Sequence, residues 1–176
     1  MKLIVQPDAG IAPVVDAITQ AKKWIDILIF RLDRGEIARA LAAAVVRGVR
    51  VRALTAHTNR GGTKSLRRLE MELLEAGITV SRTADDLVRY HGKMVIVDHK
   101  ILHVYGFNFT ALDMERSRSF GIVTKNEKLV AEAQKLFTAD FDRQPYTPGN
   151  ERFVVSPENA RDDLKVVPLH QGRGTT

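Results

Sequence analysis

The chain has 176 residues and no cysteine, which allows one domain with its own core and excludes disulfide frameworks, thiolate chemistry and cysteine-built zinc sites. A content of 44% hydrophobic and 27% charged residues describes a globular chain, and no apolar run approaches the ~20 residues of a bilayer span. Lys and Arg number 27 against 21 Asp and Glu, and the resulting charge of +6 directs attention to anionic partners: nucleic acid, anionic lipid surfaces or phosphate esters. The opening Met1-Lys2-Leu3-Ile4-Val5-Gln6-Pro7 holds no long apolar stretch of a signal peptide, so a cytoplasmic location is expected.

Leu3 to Val5 reads as a short buried strand, followed by Val14, Val15, Ile18 and Ala21 at helical spacing with Pro13 in the first turn. Trp24 to Phe30 is a second strand. Ile37, Leu41 and Val45 place a helix over Gly35 to Arg47, stopped by Gly48. Val49 to Thr55 is the third strand; Arg50 and Arg52 alternate with Val49 and Val51 there, which suggests a polar face at a sheet edge. Thr63 caps a third helix with core face Leu66, Leu69 and Leu73, Gly77 ends it, and Ile78 to Ser81 is the fourth strand. This β-α alternation predicts parallel pairing of the early strands. Lys93 to Val97, Ile101 to Tyr105 and Phe120 to Thr124 follow with short connections and predict an antiparallel meander. Val130, Ala133, Phe137 and Phe141 then form the stripe of a last helix, Glu127 to Asp142. The expected fold is a three-layer α/β/α sandwich with a mixed β-sheet.

Residues 1–143 thus form one domain and residues 144–152, rich in turn formers, a linker. Phe153-Val154-Val155-Ser156-Pro157-Glu158 repeats the form of Leu3-Ile4-Val5-Gln6-Pro7-Asp8, so residues 153–176 read as the start of a second repeat unit or as a tail.

The chemistry concentrates around His91-Gly92-Lys93. Residues two apart on a strand share a face, so His91 and Lys93 project together, and a hairpin to the next strand returns Asn108 toward them. An imidazole, an ammonium and a carboxamide suit a phosphodiester: the neutral ring is a nucleophile toward phosphorus and the other two can hold its oxygens. His99 and His103 lie nearby, but nothing assembles a metal site around them. The eight basic residues between Glu36 and Glu70, among them Arg60, Arg67 and Arg68, read equally as an anion-facing rim or as a solvated surface. The loop from His57 to Gly62 reads as a connection that could border a substrate.

His91-x-Lys93-x4-Asp98-x6-Tyr105-Gly106-Phe107-Asn108 resembles the HxK(x)4D(x)6GSxN signature, the HKD motif, of the phospholipase D superfamily, and the layout of Lys2 to Arg143 resembles one half of that two-motif fold. The resemblance implies a phospholipase D/nuclease-like fold and a metal-independent phosphodiesterase without cofactor. Its site residues would be His91, Lys93, Asp98 and Asn108, with Lys93, Gly106 and Asn108 binding phosphate and Asp98 fixing the turn after its strand. Two such motifs share one active site in the superfamily, one histidine forming a phosphohistidine and the other moving protons. A chain with one motif would therefore form a homodimer or pair with a second HKD domain. Tyr105 stands where the family usually has Gly. Gly106 stands where it has Ser or Gly, so a contact made by the Ser would fall to a backbone N–H. Ser119 stands where an acid often orients the histidine; Ser119 could accept a hydrogen bond there, or a carboxylate could come from Asp113 or Glu115. The expected substrate is a phospholipid, with hydrolysis or phosphatidyl transfer and peripheral contact with an anionic membrane. Nucleic acid is the alternative substrate, and a non-catalytic phosphate-binding lobe the alternative role.

Overall fold

A computed structural model describes residues 1–58, 63–86, 89–150 and 152–156. Seven strands form one mixed sheet in the order β1-β7-β6-β5-β2-β3-β4. They are β1 (Lys2–Gln6), β2 (Trp24–Ile29), β3 (Arg50–Thr55), β4 (Thr79–Arg82), β5 (Met94–Val97), β6 (Ile101–Tyr105) and β7 (Ser119–Thr124). The helices are α1 (Ala12–Gln20), α2 (Gly35–Val46), α3 (Thr63–Glu75), α4 (Ala111–Glu115) and α5 (Glu127–Phe141).

Side chains of the central strands alternate between two apolar layers, as the period of two demands. Ile25, Ile27 and Ile29 of β2 and Val95 and Val97 of β5 pack with Val14 and Ile18 of α1, Ile37 and Leu41 of α2, and Leu69 and Leu73 of α3. Leu28, Met94, Ile96 and Leu102 point the other way, onto Val130, Ala133 and Phe137 of α5. The result is the expected three-layer α/β/α sandwich. Glycines stop α2 and α3: Gly48 and Gly77 hold φ of 84° and 81°, values that cost a side chain strain.

The strand order departs from the chain order in two ways. β2, β3 and β4 pair in parallel as expected, and β5, β6 and β7 form the expected antiparallel meander. β1, however, is not beside β2. It pairs antiparallel with β7 at the far edge of the sheet, so α1 leads across three strands. β3 is not an edge strand either, for β2 and β4 flank it. Its Arg52 is directed at the buried carboxylate of Asp26, with Nε 2.7 Å from Oδ1 and Nη2 3.0 Å from Oδ2, and its guanidinium lies over the rings of Phe137 and Phe141. Gln134 of α5 donates to the same carboxylate at 2.6 Å. The alternating arginine thus marks a buried ion pair under α5, and the ladder sets Asp26 opposite Arg52.

The remaining basic residues of that stretch are dispersed. Arg47 donates to the Ile18 carbonyl, Arg50 lies over Trp24, and Arg67 pairs with buried Glu70, which also holds Arg82. Arg60 with most of its loop, the side chain of Thr63, and residues 157–176 of the expected second repeat or tail lie outside the described residues. Arg152 to Ser156 form no strand, and Phe153 packs against the α5-side layer.

Candidate active site

The antiparallel register between β2 and β5 builds the site. Leu28 lies opposite Met94, so the residues just after β2 meet those just before β5. His91, Gly92 and Lys93 precede the strand proper, though the ladder still reaches them through a hydrogen bond from Tyr105 N to the Lys93 carbonyl at 2.9 Å. Phe30, the residue after β2, organises the cluster. His91 sits edge-on against its ring with centroids 4.6 Å apart. Arg31, Lys93 and Arg89 place their charges 5.7, 5.4 and 5.2 Å from the ring centroid, within cation–π range.

Lys93 and His91 are direct neighbours, with Nζ 2.9 Å from Nε2 and 3.1 Å from Nδ1. Lys93 is buried, and that burial, with the charges of Arg89 and Arg31, pushes its pKa down to about 8. Desolvation lowers the His91 pKa below the ordinary value, and Lys93, Arg89 and Arg31 lower it further; the carboxylate of Asp113 acts in the opposite sense on both residues. At neutral pH an unprotonated imidazole therefore stands beside a protonated ammonium, the pairing that a nucleophile and a phosphate-binding cation require.

His91 and Lys93 line a cavity of about 720 Å³. Much of its remaining wall is apolar, from Leu28, Met94 and Val104 of the sheet, Leu136 of α5, and Phe153 and Val154 beyond it. A second cavity of about 280 Å³ holds Asn108 and Asp113 together with Phe30 and Arg31. Phe30 lines this second cavity, and its ring also contacts His91 and Lys93. Asn108 is bound to Asp113: its backbone N–H and its Nδ2 each donate to Oδ2 of that carboxylate at 2.7 Å. The hairpin was expected to return Asn108 toward His91, and Asn108 shares the second cavity with Phe30, the ring against which His91 packs.

Three other motif residues have roles set by packing. Gly106 donates its N–H to the Phe120 carbonyl at 2.8 Å, and a Cβ there would sit 2.9 Å from that oxygen. The glycine allows close approach of the chain to β7, where its N–H is bonded. Asp98 lies at the opposite end of β5 from Lys93. It accepts from the backbone N–H groups of Lys22, Lys23 and Trp24 at 2.7–3.2 Å, holding the entry to β2. Tyr105 is buried against Phe107 and Phe109 and shares a 3.1 Å hydrogen bond with His103. Ser119 starts β7, and its Oγ lies 3.4 Å from the Cβ position of Gly106.

His99 stacks on Trp24 at the Asp98 end, and burial pushes the His103 pKa down to about 4. Among the described residues no three His, Cys, Asp or Glu side chains are grouped as metal ligands. Phe30, Arg31 and Arg89 escaped the sequence reading, since their relevance follows from the β2–β5 pairing.

Comparison with known proteins agrees with this architecture. Residues 14–141 match the family described as cardiolipin synthase, PLD-like domain. The chain is 28% identical over 137 residues to a mitochondrial cardiolipin hydrolase of Canis lupus familiaris, which covers 77% of this chain and 50% of that one. With the mitochondrial cardiolipin hydrolase of Homo sapiens it shares 26% identity over 180 residues, 96% of this chain and 68% of the other. The chain thus spans half to about two thirds of the length of these relatives. The crystal structure of Nuc, a phospholipase D family member from Salmonella typhimurium, superposes with a TM-score of 0.73 at 23% identity, covering 84% of this chain and 97% of Nuc. With a domain match over most of its length and the same fold, the chain belongs to the phospholipase D superfamily as a PLD-like domain.

Proposed function

We propose that the protein is a metal-independent phosphodiesterase of phospholipase D type that hydrolyses or transfers phosphatidyl groups through a phosphohistidine on His91. The observation that carries the reading is the unprotonated imidazole of His91 gathered with Lys93, Arg89 and Arg31 about the Phe30 ring, with His91, Lys93 and Arg89 lining a cavity whose wall is apolar over Leu28, Met94, Val104 and Leu136. The cations suit the phosphodiester anion. The apolar wall suits the hydrocarbon of an amphiphile better than a polynucleotide. The names of the relatives and of the matched domain point the same way.

A ring nitrogen of His91 attacks phosphorus; a P–N bond forms, the P–O bond to the alcohol breaks, and a second, protonated histidine gives its proton to the leaving alkoxide. That histidine then removes a proton from water or an acceptor alcohol, whose oxygen attacks phosphorus as the P–N bond breaks. Lys93 and the flanking arginines hold the charge of the phosphoryl oxygens. The second histidine comes from a second HKD motif, supplied by another copy of the chain or by a further domain.

Formation of phosphatidic acid from cardiolipin or phosphatidylcholine vesicles, in excess chelator, tests the proposal. The wild type is expected to turn over and His91→Ala to be inactive, with an adduct on His91 trapped by alkaline quench. The cationic flank of Arg31 and Arg89 also fits a nucleic-acid backbone, so a single-stranded oligonucleotide is the second substrate. Turnover of the oligonucleotide alone would move the assignment to a nuclease. Turnover of neither by folded, self-associated protein would leave a phosphate-binding lobe.

A further inference from the structure

The superfamily resemblance calls for a carboxylate near the nucleophilic histidine, and the β7 position that would carry it holds Ser119, which is neutral. Two acids lie nearby on α4, and the structure separates them. Glu115 is half-exposed and is paired with Arg34. Asp113 faces the site instead. Its Oδ2 accepts from both the backbone N–H and the Nδ2 of Asn108, so the plane of the carboxamide is fixed. That orientation leaves Asn108 Oδ1 buried and without a partner, while the second Nδ2 hydrogen remains for another acceptor.

Helix α4 is itself anchored where it begins. Thr110 accepts from the Asp113 N–H at 3.3 Å and Asp33 accepts from the Ala111 N–H at 2.9 Å. Asp86, Arg89, Lys93, Asp140 and Arg143 line the first cavity with His91, and Arg31, Asp33 and Asp113 line the second, which is bordered by the Phe30 ring against which His91 packs. Of these acids Asp113 is the one that favours the protonated forms of both His91 and Lys93.

We propose that Asp113 is the positioning carboxylate of this site: from α4 it fixes Asn108 by two hydrogen bonds and sets a negative charge in the cavity bordered by Phe30, the ring on which His91 and Lys93 pack, in place of an acid on β7. A purely structural role, as a clamp on the turn after β6, would predict the same hydrogen bonds but no electrostatic reach to His91. The kinetic arm of the test rests on the phosphodiesterase reading; the spectroscopic arm does not.

Asp113→Asn keeps the shape and an acceptor oxygen and removes the charge. Its kcat/KM toward lipid vesicles is expected to fall about 10- to 100-fold, the size usual when a group that holds a reactive side chain is changed. Both limbs of its pH profile should move to lower pH, because the lost charge had favoured protonation of His91 and Lys93. NMR of ring-labelled histidine should show His91 titrating at lower pH in this variant, a readout that needs no turnover. Asp113→Glu, run beside it, keeps the charge and should leave the limbs in place, and adding Ser119→Glu to Asp113→Ala should restore part of the lost activity. An unmoved His91 titration in Asp113→Asn, or equal shifts in the Asn and Glu variants, would overturn the proposal. An inactive wild type with the His91 shift intact would overturn the phosphodiesterase reading alone.

Discussion

Lys93 keeps its ammonium in a place that disfavours charge. It is 4% exposed and lies with Arg31 and Arg89 around one aromatic ring. A site that gathers like charges in this way is short of an anion, and a phosphodiester supplies one. The proposed chemistry needs His91 unprotonated and Lys93 protonated. In the free enzyme kcat/KM should therefore fall on the acid side only below the usual histidine range, and on the alkaline side as pH rises through about 8. A flat profile through pH 8 to 10 would remove Lys93 from the mechanism. Because the folded-state pKa of Lys93 is depressed from 10.5 to about 8, its burial weighs against the fold below pH 8 and ceases to do so above pH 10.5. Lys93→Met should then abolish turnover while raising Tm at neutral pH, by roughly 2–4 °C for each kcal/mol recovered in a chain of this size.

At the scale of elements, β5 carries two separate tasks at its two ends. Its start presents His91 and Lys93; its end presents Asp98 to three backbone N–H groups of residues 22–24. Burial pushes the Asp98 carboxyl upward, but the N–H groups of Trp24, Lys23 and Lys22 outweigh it and hold the pKa below the usual carboxylate range. The stability this gives is present above the unfolded-state value of 3.8 and is lost as pH falls through the lower folded-state value. Asp98→Asn should lower unfolding free energy by about 1–2 kcal/mol at pH 7 and leave kcat/KM near wild type, measured by urea denaturation and lipid turnover on the same sample. A loss of turnover in fully folded Asp98→Asn would return Asp98 to the chemistry. Gly106→Ala tests the neighbouring pair of strands. Its Cβ would press on the Phe120 carbonyl at 2.9 Å and should cost about 1–3 kcal/mol by forcing β6 from β7.

These two elements also show what could be read in advance. The β-branched and aromatic run from Trp24 to Phe30 was enough to place β2, and the stripe Val130, Ala133, Phe137 enough to place α5. Helix α4 spans five residues, too few for any periodicity, although Thr110 followed three positions later by Asp113 is a helix-start signal. Arg52 read as part of a polar face at a sheet edge because nothing in its local sequence reveals Asp26 on the adjoining strand. β1 went to the far edge because its pairing with β7 is a long-range choice that consecutive order does not encode. For the same reason the motif residues were visible as a string, while the ring of Phe30 that assembles them was not.

At the scale of the whole molecule, the proposed chemistry requires a pair of motifs, and this sequence supplies one. If the second is another copy of this chain, mixing wild type with His91→Ala under subunit exchange should reduce activity as the square of the wild-type fraction, since a mixed pair has a single histidine. A linear fall would mean that each chain works alone or with a further domain.

Tyr105 stands against Gly121 across the β6–β7 ladder, and a Cβ on that glycine would lie 3.0 Å from Cδ1 of the tyrosine. The two residues are thus complementary in volume, a large ring where the superfamily usually has none and an empty position opposite it. A side chain at position 121 would press on that ring, on the Val104 carbonyl oxygen at 3.1 Å and on the Phe107 ring at 3.4 Å, so the empty position holds β6, β7 and the aromatic cluster together. A chimaera that imports the family's glycine at 105 without refilling position 121 would carry a void beside Phe107, one residue from Asn108.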